Sequence, residues 1–324
     1  MFAALALIAV ATEAAVGYPD SLYRRIGHPV TWIGALIAWC DKTWNSETLS
    51  YEERRWRGVY LLVLLLAVGI FSGLAIAAIL EQLFYDFVAV LLCGVAGSSL
   101  LAQRSLYTHV AAVASALEND GIEAGRRTVS MIVGRDTRQL DEAAVSRAAI
   151  ESLAENFSDG VVAPLFWMIV AGLPGAIAYK AVNTADSMIG HKSDRHLAFG
   201  WASARFDDLV NLPASRLSAF WFVLAAALSP GLSPRRAIDV LFHDAGHHRS
   251  PNAGWPEAAM AGALGIQLSG PRIYDGVEVA ERWVGEGRRD LTAGDIRAAL
   301  DLFRAACGLQ IAALVILAVI SSIF

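Results

Sequence analysis

Residues 180–195 read KAVNTADSMIGHKSDR, directly after twenty residues, 160–179, that carry no charge. On a helix Lys180, Asn183 or Thr184, and Ser187 share a face, with Asp186 beside it. Lysine anchors phosphate, Asp and Asn hold Mg²⁺, and hydroxyls fill remaining ligand positions. A competing reading is a positive helix end whose lysines reach out to the membrane interface. It accounts for Lys180 and Lys192 but leaves Asn183 and Asp186 without a reason.

Four more clusters carry comparable chemistry. ARFDDLVNLPASR, residues 204–216, sets Asp207 and Asp208 between Arg205 and Arg216, with Asn211 one turn after Asp207. Adjacent acids flanked by arginines suit a metal–phosphate site, or a local salt-bridge cluster. ESLAENFSDG, residues 151–160, spaces Glu151, Glu155 and Asp159 at i, i+4 and i+8. Three acids on one helix face repel unless a cation joins them; otherwise the face is solvated. HDAGHHRSPNAGWPEAAMAGALG, residues 243–265, offers Asn252 or Gly254 as a helix cap, Pro256 in the first turn, and a helix start suited to anions. His243 and His247 stand at i, i+4 without a third ligand, so no metal is assigned to them. YPDSLYRRIGHPVTWIG, residues 18–34, holds Asp20, Arg24, Arg25 and His28, the last before Pro29 at a turn, as a base or a substrate contact. No G-x-x-x-x-G-K-[ST] loop and no strand-associated G-x-G-x-x-G occurs, so neither device holds a nucleotide here.

The elements that must position these residues are membrane helices. The chain has 324 residues, 56% of them hydrophobic and 18% charged, and a mean hydropathy of +0.47. Soluble domains carry about 25% charged residues. Net charge is −5 and the pI about 5.8, which gives no basic excess for nucleic acid. Apolar runs long enough to span cover 58–80 and 305–324, with shorter ones at 87–102 and 217–232. Residues 2–16 lack the basic start of a signal peptide and read as a retained span or a membrane-embedded helix. Segment 160–179 contains Pro164, Gly172, Pro174 and Gly175 and is predicted to break rather than cross as a plain helix. Lys42, Arg54, Arg55 and Arg57 on one connection, and Arg104 to Arg147 after another, place both on the cytoplasmic side of the cell's inner membrane.

Regions 103–159 and 233–304 read as polar and helical. Asp136 or Thr137 is predicted to cap the helix after the Gly134 break, and Thr292 with Asp295 to start the last one. Cys40, Cys93 and Cys307 read as buried hydrophobes. No sustained strand alternation and no repeat is present. The fold expected is all-α: one polytopic membrane domain over 1–324 with about five spans, four to six, and helical cytoplasmic connections. The residues alone lead to an acidic–amide–basic site for Mg²⁺ and phosphate at the cytoplasmic membrane face.

The blocks ESLAENFSDGVVAPLFW, GLPGAIAYKAVNTADSMIGHK, FGWASARFDDLVNLPASRL and SPNAGWPEAAMAGALGIQLSG resemble, in order, the signatures of the adenosylcobinamide-phosphate synthases, the CobD/CbiB membrane proteins of cobalamin biosynthesis. YPDSLYRRIGHPVTWIG and VGRDT resemble two further blocks, and the likeness runs from about residue 10 to 320. It implies ATP-dependent amide formation between adenosylcobyric acid and (R)-1-amino-2-propanol phosphate, or free aminopropanol, through an acyl phosphate. Fitted to that chemistry, Asp186, Asp207 and Asp208, with Asn183, hold Mg²⁺. Lys180, Lys192 and Arg205 contact ATP or aminopropanol phosphate, and His28 is a substrate contact. Glu155 or Asp159 completes the metal site or takes a proton from the attacking ammonium. Asn252 and the helix start after it bind phosphate or a corrin amide. Partners implied are the three substrates, membrane lipid, further copies of the chain or other enzymes of the pathway. Two rival classes share these features: a secondary transporter of an anionic or corrinoid substrate, which also sets polar residues beside broken helices, and a membrane phosphotransferase acting on lipid.

Overall fold

A computed structural model describes residues 1–274, 277–279 and 282–323. In chain order its helices are α1 (Phe2–Val16), α2 (Asp20–Ile26), α3 (Pro29–Trp44), α4 (Tyr51–Leu83), α5 (Asp86–Ser98), α6 (Gln103–Asp120) and α7 (Ile122–Val129). Then come α8 (Glu142–Phe157), a π-helical turn (Ser158–Val162), α9 (Ala163–Ile189), α10 (Trp201–Leu228), α11 (Pro234–Asp244), α12 (Gly254–Leu264) and α13 (Ala293–Ile323). The protein is an all-α polytopic membrane protein. Among the described residues five helical stretches are long and apolar enough to cross a membrane; Phe2–Val16 with Asp20–Trp44 qualifies as a sixth only as a pair bent by 106°.

Two short antiparallel pairs accompany the helices. β1 (Leu268–Ser269) pairs with β4 (Trp283–Val284), and β2 (Arg272–Tyr274) with β3 (Val277–Val279). Strands of two or three residues are too short to leave an alternation in the sequence.

The chain divides into two compact units of interleaved segments: 1–102, 163–211 and 313–324 form one, 103–162 and 212–312 the other. In the first, α9 packs against α1, α3, α4 and α5. Lipid offers no hydrophobic drive between helices, so close backbone approach must supply the contact. Gly69 and Gly73, one turn apart on α4, provide it: a Cβ at Gly73 would stand 2.5 Å from Pro174 Cα, and one at Gly69 2.8 Å from Ala178 Cα. Ile37, Cys40, Leu61, Leu65, Ala181, Ala185, Ile189 and Phe199 form the buried core behind the second half of α9.

The expected break in 160–179 is there. Ala171 (φ −137°, ψ 20°) and Gly172 (φ 64°, ψ −156°) leave helical geometry, and Pro174 opens the continuation. Gly172 sits in a region that side-chain-bearing residues avoid, and the Phe2 ring lies over it, 3.0 Å from where a Cβ would be.

The second unit centres on Phe157, whose ring centroid lies 4.7 Å from that of Phe222 and 5.4 Å from that of Phe303. Two expected caps are corrected here. Asp141, not Asp136 or Thr137, caps α8 by accepting from Ala144 N–H at 2.7 Å. Thr137 instead donates to Arg126 O, and Arg138 clamps both oxygens of Asp136 with its Nε and Nη2, holding the carboxyl at about 2. At α12 the cap position is Ala253, because the Asn252 side chain accepts from Ser215 and Arg216 rather than from the helix start. Thr292 and Asp295 behave as expected: the carboxylate accepts from Thr292 N–H at 2.9 Å. All three cysteines are free and buried.

Candidate functional site

The second half of α9 and the start of α10 each turn a polar stripe toward one place in the first unit. Tyr179, Asn183 and Asp186 follow at i, i+4 and i+7 on α9; Asp207, Asp208 and Asn211 sit within one turn of α10. Asp207 is 7% exposed, and both its oxygens are taken by carboxamides. Asn211 Nδ2 donates to one at 2.9 Å and Asn183 Nδ2 to the other at 3.4 Å. Each carboxamide is oriented in turn: Tyr179 OH donates to Asn211 Oδ1 at 2.9 Å, and Lys180 Nζ to Asn183 Oδ1 at 3.3 Å. Thr184 and Ser187 each donate to a carbonyl of their own helix, which fixes their hydroxyl oxygens beside this stripe.

Around Asp207 the other predicted residues gather. Asp186 and Asp208 lie close enough for their charges to act on Asp207 and on one another. Arg205 approaches Asp208 to 3.8 Å, and the charges of Lys192 and His191 reach Asp208 and Asp186. Lys180 also acts on His28. Eight of the residues singled out in the sequence, His28, Lys180, Asn183, Asp186, Lys192, Arg205, Asp207 and Asp208, thus belong to one neighbourhood. Lys192 is exposed on the 190–200 loop, which is fastened at Arg195: Asp41 pairs with its guanidinium at 2.8 Å, and Asn45 donates to its carbonyl at 2.9 Å.

His28 caps α3. Its Nδ1 accepts from Val30 N–H at 3.2 Å while Thr31 closes the reciprocal bond. An accepting Nδ1 puts the proton of a neutral ring on Nε2, so the ring offers a donor and not a base. The Tyr18 ring, 4.4 Å away edge-on, holds it in place.

Among the described residues no three His, Cys, Asp or Glu side chains are gathered as ready ligands for one ion. The donors present are nevertheless all oxygens, the choice of a hard cation. Mg²⁺ in nucleotide sites takes one or two carboxylates and completes its shell with water and substrate phosphates rather than a protein cage. The set fits that use.

Glu155, Asp159 and Asn252 belong to the second unit. Glu151 and Glu155 stand one turn apart on α8, and Asp159 follows in the π turn. Glu151 is buried, accepts from Ser269 N–H at 2.7 Å and pairs with Arg135 at 3.1 Å. Glu155 is exposed, and Asp159 is half-buried in the π turn, where the helical register changes. Asn252 holds Ser215 and Arg216 at 3.1 Å each, and the Arg216 guanidinium lies over the Trp255 ring. Glu257, 2% exposed, joins Ser269 Oγ at 3.1 Å with His248 at 3.7 Å.

Reading the sequence missed Tyr179, Glu257 and Ser269. The signal for Tyr179 was its i, i+4 spacing from Asn183, masked because a tyrosine at the end of an apolar run reads as an interfacial anchor. Nothing in the sequence marks Ser269, whose φ of 57° appears only in the structure.

A sequence model of the CobD/Cbib protein family matches residues 6–303. Cobalamin biosynthesis protein CobD of a Sinorhizobium species is 52% identical over 304 residues, 93% of each chain. The protein of the same description from Rhodobacter capsulatus is 50% identical over 307 residues, 94% of each. That of Brucella suis is 49% identical over 307 residues, 91% of this chain and 90% of its own. No solved structure matches. With the match reaching from α1 into α13 and taking in every cluster described above, the chain belongs to the CobD/CbiB family.

Proposed function

We propose that the protein is an adenosylcobinamide-phosphate synthase. It joins a propionate carboxylate of adenosylcobyric acid to the amine of (R)-1-amino-2-propanol phosphate, or of free aminopropanol, at the expense of ATP. Family membership supports the place in cobalamin biosynthesis. The observation that carries the chemistry is the gathering of three aspartates, two carboxamides and basic side chains on α9 and α10.

A carboxylate resists attack by an amine because its carbonyl is already electron-rich and hydroxide is a poor leaving group. Transfer of the ATP γ-phosphoryl group to the carboxylate releases ADP and gives an acyl phosphate. The amine then attacks the acyl carbon, the C–O bond to phosphate breaks, inorganic phosphate leaves, and one ammonium proton passes to a base. In this reading Lys180, Lys192 and Arg205 bind phosphoryl oxygens, and His28 donates its Nε2–H to a carbonyl or phosphate. Asp186, Asp207 and Asp208 hold Mg²⁺, which would neutralise charge on the transferring phosphoryl group. Asn252 contributes indirectly, by holding Arg216 at the foot of α12. The basic 41–57 connection and the stretch after residue 102 support a site on the cytoplasmic face of the inner membrane, within reach of ATP.

Detergent-purified protein incubated with adenosylcobyric acid, aminopropanol phosphate, Mg²⁺ and ATP tests this. Adenosylcobinamide phosphate detected by mass together with ADP is the expected result. AMP in place of ADP would replace the acyl phosphate by an acyl adenylate. Folded protein that gives no product would overturn the reading.

A further inference from the structure

We propose that Tyr179 and Asn211 are positioning residues for Asp207: they fix the orientation of its carboxylate, with one lone-pair direction per oxygen kept for a cation. The assignment rests on the magnesium–phosphate reading above. A carboxamide presents its NH₂ or its oxygen to a carboxylate with nearly the same shape, and only the first attracts. Something must therefore decide which way Asn211 points. The carboxylate attracts only the NH₂, and Tyr179 supports that orientation by donating its O–H to the Asn211 oxygen at 2.9 Å while the NH₂ faces Asp207, also at 2.9 Å. The opposite end repeats the device, since an ammonium has only donors to give: Lys180 holds the Asn183 oxygen and turns its NH₂ to the other Asp207 oxygen.

Hydrogen-bond direction thus runs inward from both ends and terminates on Asp207. Burial makes the arrangement matter. Tyr179 is 3% exposed and Asn211 1%, so water cannot replace a lost donor. Each carboxylate oxygen accepts two hydrogen bonds or ligands, and the clamp occupies one on each.

The test is Mn²⁺ binding in the presence of ATP, followed by the free-ion electron paramagnetic resonance signal of the full-length protein in detergent, alongside the Mg²⁺ dependence of synthesis. Tyr179→Phe removes one oxygen atom and nothing else. It is expected to weaken Mn²⁺ binding about tenfold and to raise the half-activating Mg²⁺ concentration by the same factor, with turnover at saturating Mg²⁺ changed less than about threefold. In an Asp207→Asn background the same change should add nothing, because the group being positioned is gone. Equal Mn²⁺ affinity in Tyr179→Phe and wild type, or full additivity with Asp207→Asn, overturns the assignment. If Tyr179→Phe does not fold, Asn211→Ser carries the same measurements. Wild-type protein that takes up no Mn²⁺ with ATP overturns the metal reading, and this assignment falls with it.

Discussion

Glu151 and Glu257 in the second unit and Asp207 in the first are buried in opposite ways. In the second, each buried acid is matched at once: Glu151 meets Arg135 and the Ser269 N–H, and Glu257 meets the Ser269 hydroxyl beside His248. In the first, Asp207 is held by two neutral carboxamides, while Asp186 and Asp208 press like charges on it and the cations stand around the rim. A matched buried pair fixes backbone; here the Glu151 and Glu257 contacts hold Ser269 at φ 57° next to β4. A cluster of like charges held by neutral donors costs stability unless a cation joins it. On the function proposed above, the contrast separates acids that hold structure from acids that hold a ligand.

Removing one acid of each kind should break the protein in different ways. Asp207→Asn is expected to cut synthesis by about 10³-fold, since several kcal/mol of transition-state charge stabilisation goes with a correctly held ion. Its thermal midpoint should stay level or rise, because a buried like charge is gone. Glu151→Gln should do the reverse. It leaves the Arg135 guanidinium buried without its charge partner, at a cost of about 3 kcal/mol seen as a lower midpoint in detergent. Activity per folded molecule should stay within about threefold. If both variants lose activity and stability together, the distinction between the units is wrong.

Gly172→Ala probes what connects the break in α9 to the site. A Cβ at φ 64°, ψ −156° costs about 1–3 kcal/mol and crowds the Phe2 ring. The second half of α9 begins just beyond it and carries Tyr179, Lys180, Asn183 and Asp186, so a lower midpoint with a raised half-activating Mg²⁺ concentration is expected. A lower midpoint alone would make the break an architectural matter. This break was legible in the sequence because Gly172, Pro174 and Gly175 are local devices within one apolar run. So was most of the site on α9 and α10: charge in an apolar setting is costly enough to be conspicuous. Asn183 and Asp207 lie 24 residues apart, and their hydrogen bond is set by tertiary packing that no local spacing encodes. The fate of Asn252 was hidden for the same reason, as its partners Ser215 and Arg216 lie 37 and 36 residues away. The Gly69 and Gly73 contact was available as a G-x-x-x-G pattern but sat inside a span so apolar that it read only as membrane.

His28 tests the edge of the comparison with the smallest effect. As a cap it contributes about 1 kcal/mol to α3, and Asn at a cap does the same work. His28→Asn should therefore keep the thermal midpoint while removing the Nε2–H that the cap holds in its donor tautomer. If that donor contacts substrate, KM for ATP or the amine rises a few-fold with turnover nearly constant. His28→Ala loses the cap as well, so it should show the same KM with a midpoint lower by a few degrees. A His28→Asn protein with unchanged KM would confine His28 to capping and shrink the first unit's site to the residues of α9, α10 and the loop between them.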